Sequence, residues 1–134
     1  MRAIADTGFL VAFGNRREEF HDWAVGVADS ATEPLLTCDA VLAEAAFQLE
    51  SVALVVAMVE EGLVQPSFDS QAHIERIGRL AKKYGDRRPD FADLCLLRMS
   101  ELHPRRPVVT VDSEFRVYRR NGRDTIPVIM PPGR

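Results

Sequence analysis

Cysteine, histidine and long apolar runs are scarce in this sequence, and each scarcity excludes something. Only two cysteines, Cys38 and Cys95, occur in 134 residues. Their spacing forms no C-x-x-C metal or redox motif. Both are read as small buried hydrophobes in a reducing, cytoplasmic setting. His21, His73 and His103 are scattered, so no His/Cys set at zinc spacing exists. No apolar run approaches the ~20 residues that a membrane-spanning helix needs. The N-terminus lacks a basic region followed by a long apolar stretch, so no secretory leader is expected. There is no low-complexity tract, no internal repeat and no linker long enough to separate two domains. Residues 1–134 are therefore read as one domain with one core.

Positive charge is scarce in the first half. Residues 1–69 carry 3 basic and 12 acidic residues, and residues 70–134 carry 14 basic and 8 acidic ones; the balances of −9 and +6 sum to the net −3. An acidic chain with a basic second half can bind a polyanion locally, although solvated helix faces account for many of the arginines equally well.

What is present is an alternation of short apolar runs and helical periodicities. The chain opens M-R-A-I-A-D-T-G-F, read as a strand over 2–6 that stops at Asp6 and turns into a short helix over Thr7–Phe13. A helix follows over Glu18–Ala28, with Phe20, Trp23, Ala24 and Val27 at helical spacing and Glu18 and Glu19 in its first turn. Leu35–Thr37 is a second strand. Asp39 is read as the N-cap of a helix over Ala40–Leu49, with Glu44 at the edge of its apolar stripe. Val52–Val59 is helical, and a third strand starts at Leu63. Ser70–Tyr84 is a longer helix with Ile74, Ile77, Leu80, Ala81 and Tyr84 inside and Arg76, Arg79, Lys82 and Lys83 outside. After the basic loop Arg87-Arg88-Pro89 comes a helix over Asp90–Leu102, then a strand over Val108–Val111, a short helix over Ser113–Arg119, a turn at Asn121-Gly122 and a last strand over Ile126–Met130. Strands alternating with helices argue an α/β domain: a central parallel sheet of about five strands with helices on both faces.

The acids carry the chemistry. The Asp90–Leu97 stretch, D-F-A-D-L-C-L-L, is apolar around most of its circumference, the mark of a buried helix, yet it holds Asp93 in its first turns with Asp90 at i−3. A buried carboxylate costs several kcal/mol unless it is paired or metal-bound. Asp90 as N-cap with Asp93 as a capping-box partner is one reading; a functional site is the other. Asp112 repeats Asp6, each ending an apolar strand before a turn into a helix. In open α/β sheets ligands bind beyond the carboxyl ends of the strands. Asp6, Glu44, Asp93 and Asp112 come from four segments that can meet at one such edge. Clustered carboxylates repel unless a cation holds them, and hard oxygen donors suit Mg²⁺ or Mn²⁺.

The order D-T near the N-terminus, Glu44 on the third helix, D-F-A-D-L-C-L-L, then T-V-D-S-E-F-R-V-Y-R-R resembles the PIN-domain ribonucleases, closest to the VapC-like toxins of toxin–antitoxin systems. The resemblance spans essentially the whole chain. It implies a single PIN-like domain and a Mg²⁺- or Mn²⁺-dependent endoribonuclease. Asp6, Glu44 and Asp93 match the three core acids, Asp112 the fourth, and Asp90 a less regular extra one. Thr7 and Thr110 sit where the family often has small hydroxyl residues; Gly8 departs from the more frequent polar residue. The implied partners are an RNA substrate, a separate antitoxin protein and a second copy of the chain.

Arg87, Arg88, Arg116, Arg119 and Arg120 are candidates for phosphate contacts. Phe115 and Tyr118 either stack on bases or pack onto the sheet. Phe20, Trp23 and Phe47 are candidates for the antitoxin surface. Other readings are a housekeeping PIN nuclease in RNA processing and an inactive PIN-like binding scaffold. A phospho-acceptor receiver-like domain lacks its acidic pair at the first strand and its lysine after the last.

Overall fold

The computed structural model describes residues 1–134. Seven strands and six α-helices follow in the order β1 (Ile4–Ala5), α1 (Thr7–Gly14), α2 (His21–Ser30), β2 (Leu35–Thr37), α3 (Asp39–Leu49), α4 (Val52–Glu60), β3 (Val64–Pro66), α5 (Ile74–Lys83), α6 (Phe91–Leu102), β4 (Val108–Val109), β5 (Arg119–Arg120), β6 (Asp124–Thr125) and β7 (Val128–Ile129). Short 3₁₀ turns cover Gln71–His73, Gly85–Arg87 and Ser113–Arg116. No helix is long and apolar enough to cross a membrane.

The main sheet has five strands in the order β3-β2-β1-β4-β7, every pair parallel. Ile4 lies opposite both Leu36 and Val108, which makes β1 the central strand. Successive residues of a strand face opposite sides of the sheet. Ile4 and Ala5, like Val108 and Val109, are all fully buried, so both faces are covered, as the apolar runs of a parallel sheet require. The α/β fold read from the sequence is the one observed.

The chain winds from β1 outward through β2 and β3, then returns to the other side of β1 to build β4 and β7. The direction of winding therefore reverses between β1 and β4. The loops leaving two such strands part in opposite directions, and the crevice left between them is where this architecture places its sites.

Several local expectations are corrected. α2 starts at His21, because Glu18 and His21 donate their N–H groups three residues back, to Asn15 and Glu18, as consecutive turns. Asp22, not Glu18 or Glu19, is the acid in its first turn. Cys38 occupies the N-cap position of α3 without a side-chain bond, and Asp39 is the first helical residue. The helix read over Ser70–Tyr84 divides into a 3₁₀ turn at Gln71–His73 and α5, whose buried stripe leaves Ile74 and Ala81 on its flank. Ile77, Leu80 and Tyr84 stay inside, while Ile74 and Ala81 are exposed. The helix over Ser113–Arg119 shortens to one 3₁₀ turn, and Arg119–Thr125 forms a two-stranded hairpin around Asn121 and Gly122, both with positive φ.

Candidate active site

Five carboxylates meet at the reversal of winding. Asp6 follows β1 directly and caps α1, its Oδ1 accepting the N–H of Phe9 at 2.8 Å. Its Oδ2 accepts a hydrogen bond from the hydroxyl of Thr110, just beyond β4. The Thr110 oxygen in turn accepts the N–H of Asp112 at 2.8 Å. One buried hydroxyl thus ties the ends of β1 and β4 together and aims both aspartates into the same crevice. The Asp112 carboxylate also accepts the N–H of Glu114 at 2.9 Å, which starts the 3₁₀ turn behind it.

From the opposite wall, α6 presents its N-terminus. Asp90 accepts the N–H of Asp93 at 2.8 Å, and Asp93 Oδ2 accepts the N–H of Asp90 at 3.2 Å, a complete capping box. The cap and the site are not alternatives here. A capping box occupies one oxygen of each side chain, and both residues still line the crevice. Glu44 enters from α3, with Gln48 one turn later donating to it at the long distance of 3.5 Å.

Asp6, Glu44, Asp90, Asp93 and Asp112 line a single cavity of about 140 Å³, together with Thr7, Gly8, Gln48 and Val111. No basic residue lines it. The electrostatics follow. Burial pushes the Asp6 carboxyl up to about 7, and repulsion from Asp112 and Glu44 adds to it, against the lowering by the Thr110 and Phe9 hydrogen bonds. Burial also pushes Asp93 up to about 7, with repulsion from Asp90 next. Glu44 is raised by burial and by Asp90. No three His, Cys, Asp or Glu side chains come together in a geometry that could hold a metal ion. The donor set fits a hard divalent cation in kind, all of it carboxylate oxygen, and not in spacing.

All five acids singled out in the sequence are brought together. The basic candidates are not. Arg87 is spent on Glu114 at 3.0 Å, Arg119 donates to the carbonyls of Arg116, Val117 and Tyr118, and Arg120 donates to the carbonyl of Pro104 at 2.6 Å. Arg88 and Arg116 remain exposed. Phe115 and Tyr118 are fully buried and stack edge-on at 5.4 Å, so they pack the core and cannot reach a base.

Three features escaped sequence reasoning. Gln48 borders the site, one turn from Glu44, and that i+4 spacing was its only signal. Gly8 is where α1 approaches β4's exit most closely: a Cβ there would collide with Cγ2 of Val111. Its departure from a polar residue thus has a steric cause. Cys38 and Cys95 are not independent either: the neighbouring Cys38 thiol and burial push the Cys95 thiol far above its ordinary value.

The sequence matches the family model described as PIN domain over residues 3–121. No curated protein matches the chain. With the match covering nearly the whole length, a five-stranded parallel sheet and acids converging at its winding reversal, the chain belongs to the PIN-domain family, which is broadly associated with nuclease activity.

Proposed function

We propose that this protein is a Mg²⁺- or Mn²⁺-dependent endoribonuclease, the VapC-like toxin of a toxin–antitoxin pair acting in the cytoplasm. The observation that carries the reading is the cavity lined by five carboxylates and no basic side chain. Burial first, and repulsion from the neighbouring acids second, raises the Asp6 and Asp93 carboxyls, a cost that a structural role would not require. Asp6 and Asp93 are assigned as direct metal ligands, Glu44 and Asp112 complete the site, and Asp90 is an additional acid. A bound divalent ion supplies an activated water and neutralises charge on the phosphate.

The chain's own residues do the rest. Thr110 fixes the Asp6 and Asp112 carboxylates relative to one another through its hydroxyl. The capping box fixes the side-chain direction of Asp93. The carboxylates also set a pH requirement. Near neutral pH Asp6 and Asp93 must release their protons for the site to fill, so activity falls as pH drops below about 7.

Protein partners, an antitoxin and a second copy of the chain, belong to this reading. An apolar groove of about 620 Å³ between α3 and α4 supports it, with Phe47, Val52 and Val56 exposed. Of the three aromatic candidates for that surface, Phe47 is the exposed one; Phe20 lies under the Arg134 guanidinium, and Trp23 packs edge-on against Phe9. The testing experiment is cleavage of total cellular RNA with Mg²⁺, with EDTA, and with Asp93→Asn protein. Fragments in the first arm alone are expected; equal fragmentation in all three would reject the assignment.

A further inference from the structure

The acid cavity attracts no polyanion by itself, so a chain of phosphates must be held elsewhere on the molecule. Two adjoining polar concavities, of about 360 and 460 Å³, share Arg76, Arg79 and Arg98; the second adds Lys83, Asn121 and Gly122 and has no hydrophobic residue in its lining. They lie between α5, the C-terminal half of α6 and the turn of the β5–β6 hairpin. We propose that this cleft is a second RNA-binding site that grips the phosphate backbone of a single strand outside the acid cavity. The proposal rests on the ribonuclease reading and deepens it.

The cleft is built around a buried carboxylate. The Glu101 side chain is 1% exposed. It accepts Nε and Nη2 of Arg76 at 2.9 and 2.6 Å, Nη1 of Arg98 at 3.2 Å, and the N–H of Asn121 at 2.6 Å. Four donors satisfy it and hold it below the ordinary glutamate range despite burial. The consequence lies with its partners. A guanidinium carries five N–H donors in a rigid fork. Glu101 takes two from Arg76 and one from Arg98, and His73 Nδ1 receives Arg98 Nε at 3.1 Å. Both forks are thereby fixed in direction with N–H groups left over, which lowers the entropy lost when a phosphate arrives.

Beside them, Arg79 lies three residues after Arg76, and Lys83 four residues further on, along one face of α5. Arg79 is exposed and makes no ion pair or hydrogen bond, and Lys83 reaches only the Gly122 carbonyl at 3.3 Å. Arg76, Arg79, Lys83 and Arg98 against Glu75 and Glu101 leave a local charge of +2. The absence of apolar lining around Lys83 and Asn121 disfavours an acidic peptide, which would need hydrophobic anchors, and forked guanidiniums suit phosphate. Arg98 stands five residues beyond Asp93 on α6, about 7.5 Å along the axis and about 140° around it.

The test uses a short fluorescein-labelled oligouridine in EDTA, so that nothing is cut, with binding read by anisotropy across salt concentrations. Arg79→Gln/Lys83→Gln is expected to bind about tenfold more weakly, with a salt slope shallower by about 1.4. Arg79→Lys/Lys83→Arg should bind like wild type. Unchanged affinity and slope in the Gln variant, or no binding by wild type at low salt, would overturn the cleft. Polyglutamate displacing the RNA at lower charge concentration than oligouridine itself would overturn it in favour of an acidic protein. The Mn²⁺-induced thermal shift is measured in parallel. If the Gln variant keeps that shift, a failed RNA result condemns the cleft alone. If wild type shows no shift while the RNA result holds, the metal-dependent nuclease assignment fails alone.

Discussion

Replacing Asp6 by asparagine should make the metal-free protein more stable at pH 7.5 and not at pH 4. Asp6 is 5% exposed, and its carboxyl rises from an ordinary 3.8 to about 7 on folding. Between those values the folded chain keeps a proton that the unfolded chain has released. Stability therefore falls as pH rises through the window and levels off above it. About three pH units at about 1.36 kcal/mol each put the penalty near 4 kcal/mol at pH 7.5. Asparagine removes the charge at nearly constant shape. Its oxygen can still accept the Phe9 N–H, but its amide faces the Thr110 hydroxyl as a donor, and losing that bond costs about 1 kcal/mol. The net gain is about 3 kcal/mol at pH 7.5. At pH 4 the folded chain's Asp6 is protonated and the unfolded chain's only about half ionised, so the gain falls to about 0.5 kcal/mol and a deficit of about 0.5 kcal/mol remains. Urea unfolding of both proteins in EDTA, at both pH values, measures the difference directly. An asparagine variant less stable than wild type at pH 7.5, or a difference independent of pH, would refute the reasoning.

Other outcomes follow from the packing. Gly8→Ala should cost about 1–3 kcal/mol by overpacking against Val111, and adding Val111→Ala should recover most of it in the same urea assay. Phe115→Ala should cost about 3–5 kcal/mol, because the ring is wholly buried; a stable variant with weakened RNA binding would instead make it a base-stacking residue. Phe47→Ser, at a position 84% exposed, should leave unfolding within about 0.5 kcal/mol of wild type while weakening capture of the antitoxin in a pull-down titration; a stable variant with unchanged affinity would remove Phe47 from the antitoxin surface.

Asp6, Asp112 and Asp93 were legible in the sequence because of where they stand in it. Asp6 and Asp112 end apolar strands, and a parallel sheet aligns the carboxyl ends of neighbouring strands along one edge. Asp93 is conspicuous as a charge within an apolar helix. What was not legible depends on contacts far apart in the chain. Thr110 reaches Asp6 across 104 residues, and Glu101 collects donors from α5, α6 and the hairpin turn. The same limit affected the arginines, since a long side chain folds onto whichever carbonyl or acid the fold supplies. Arg119 and Arg120 were spent on backbone oxygens, whereas Arg76, read as merely outward-facing, became a fixed member of the cleft. Local errors had local causes. Ile74 and Ala81 lie about 70–90° to the side of the stripe formed by Ile77, Leu80 and Tyr84 and so stay in solvent, and a one-residue shift moved the start of α3 from Asp39's cap to Cys38.

The measurement that tests the central claim most directly is thermal unfolding with increasing Mn²⁺ for wild type, Asp6→Asn and Asp93→Asn. A ligand bound to the native state alone adds about 2.7 kcal/mol at a hundredfold excess over its dissociation constant. If the five acids form one metal site, Mn²⁺ raises the wild-type midpoint in a saturable way, and each substitution sharply reduces the rise. A wild-type midpoint that stays flat across the whole Mn²⁺ range, or one that rises equally in all three proteins, would contradict the account.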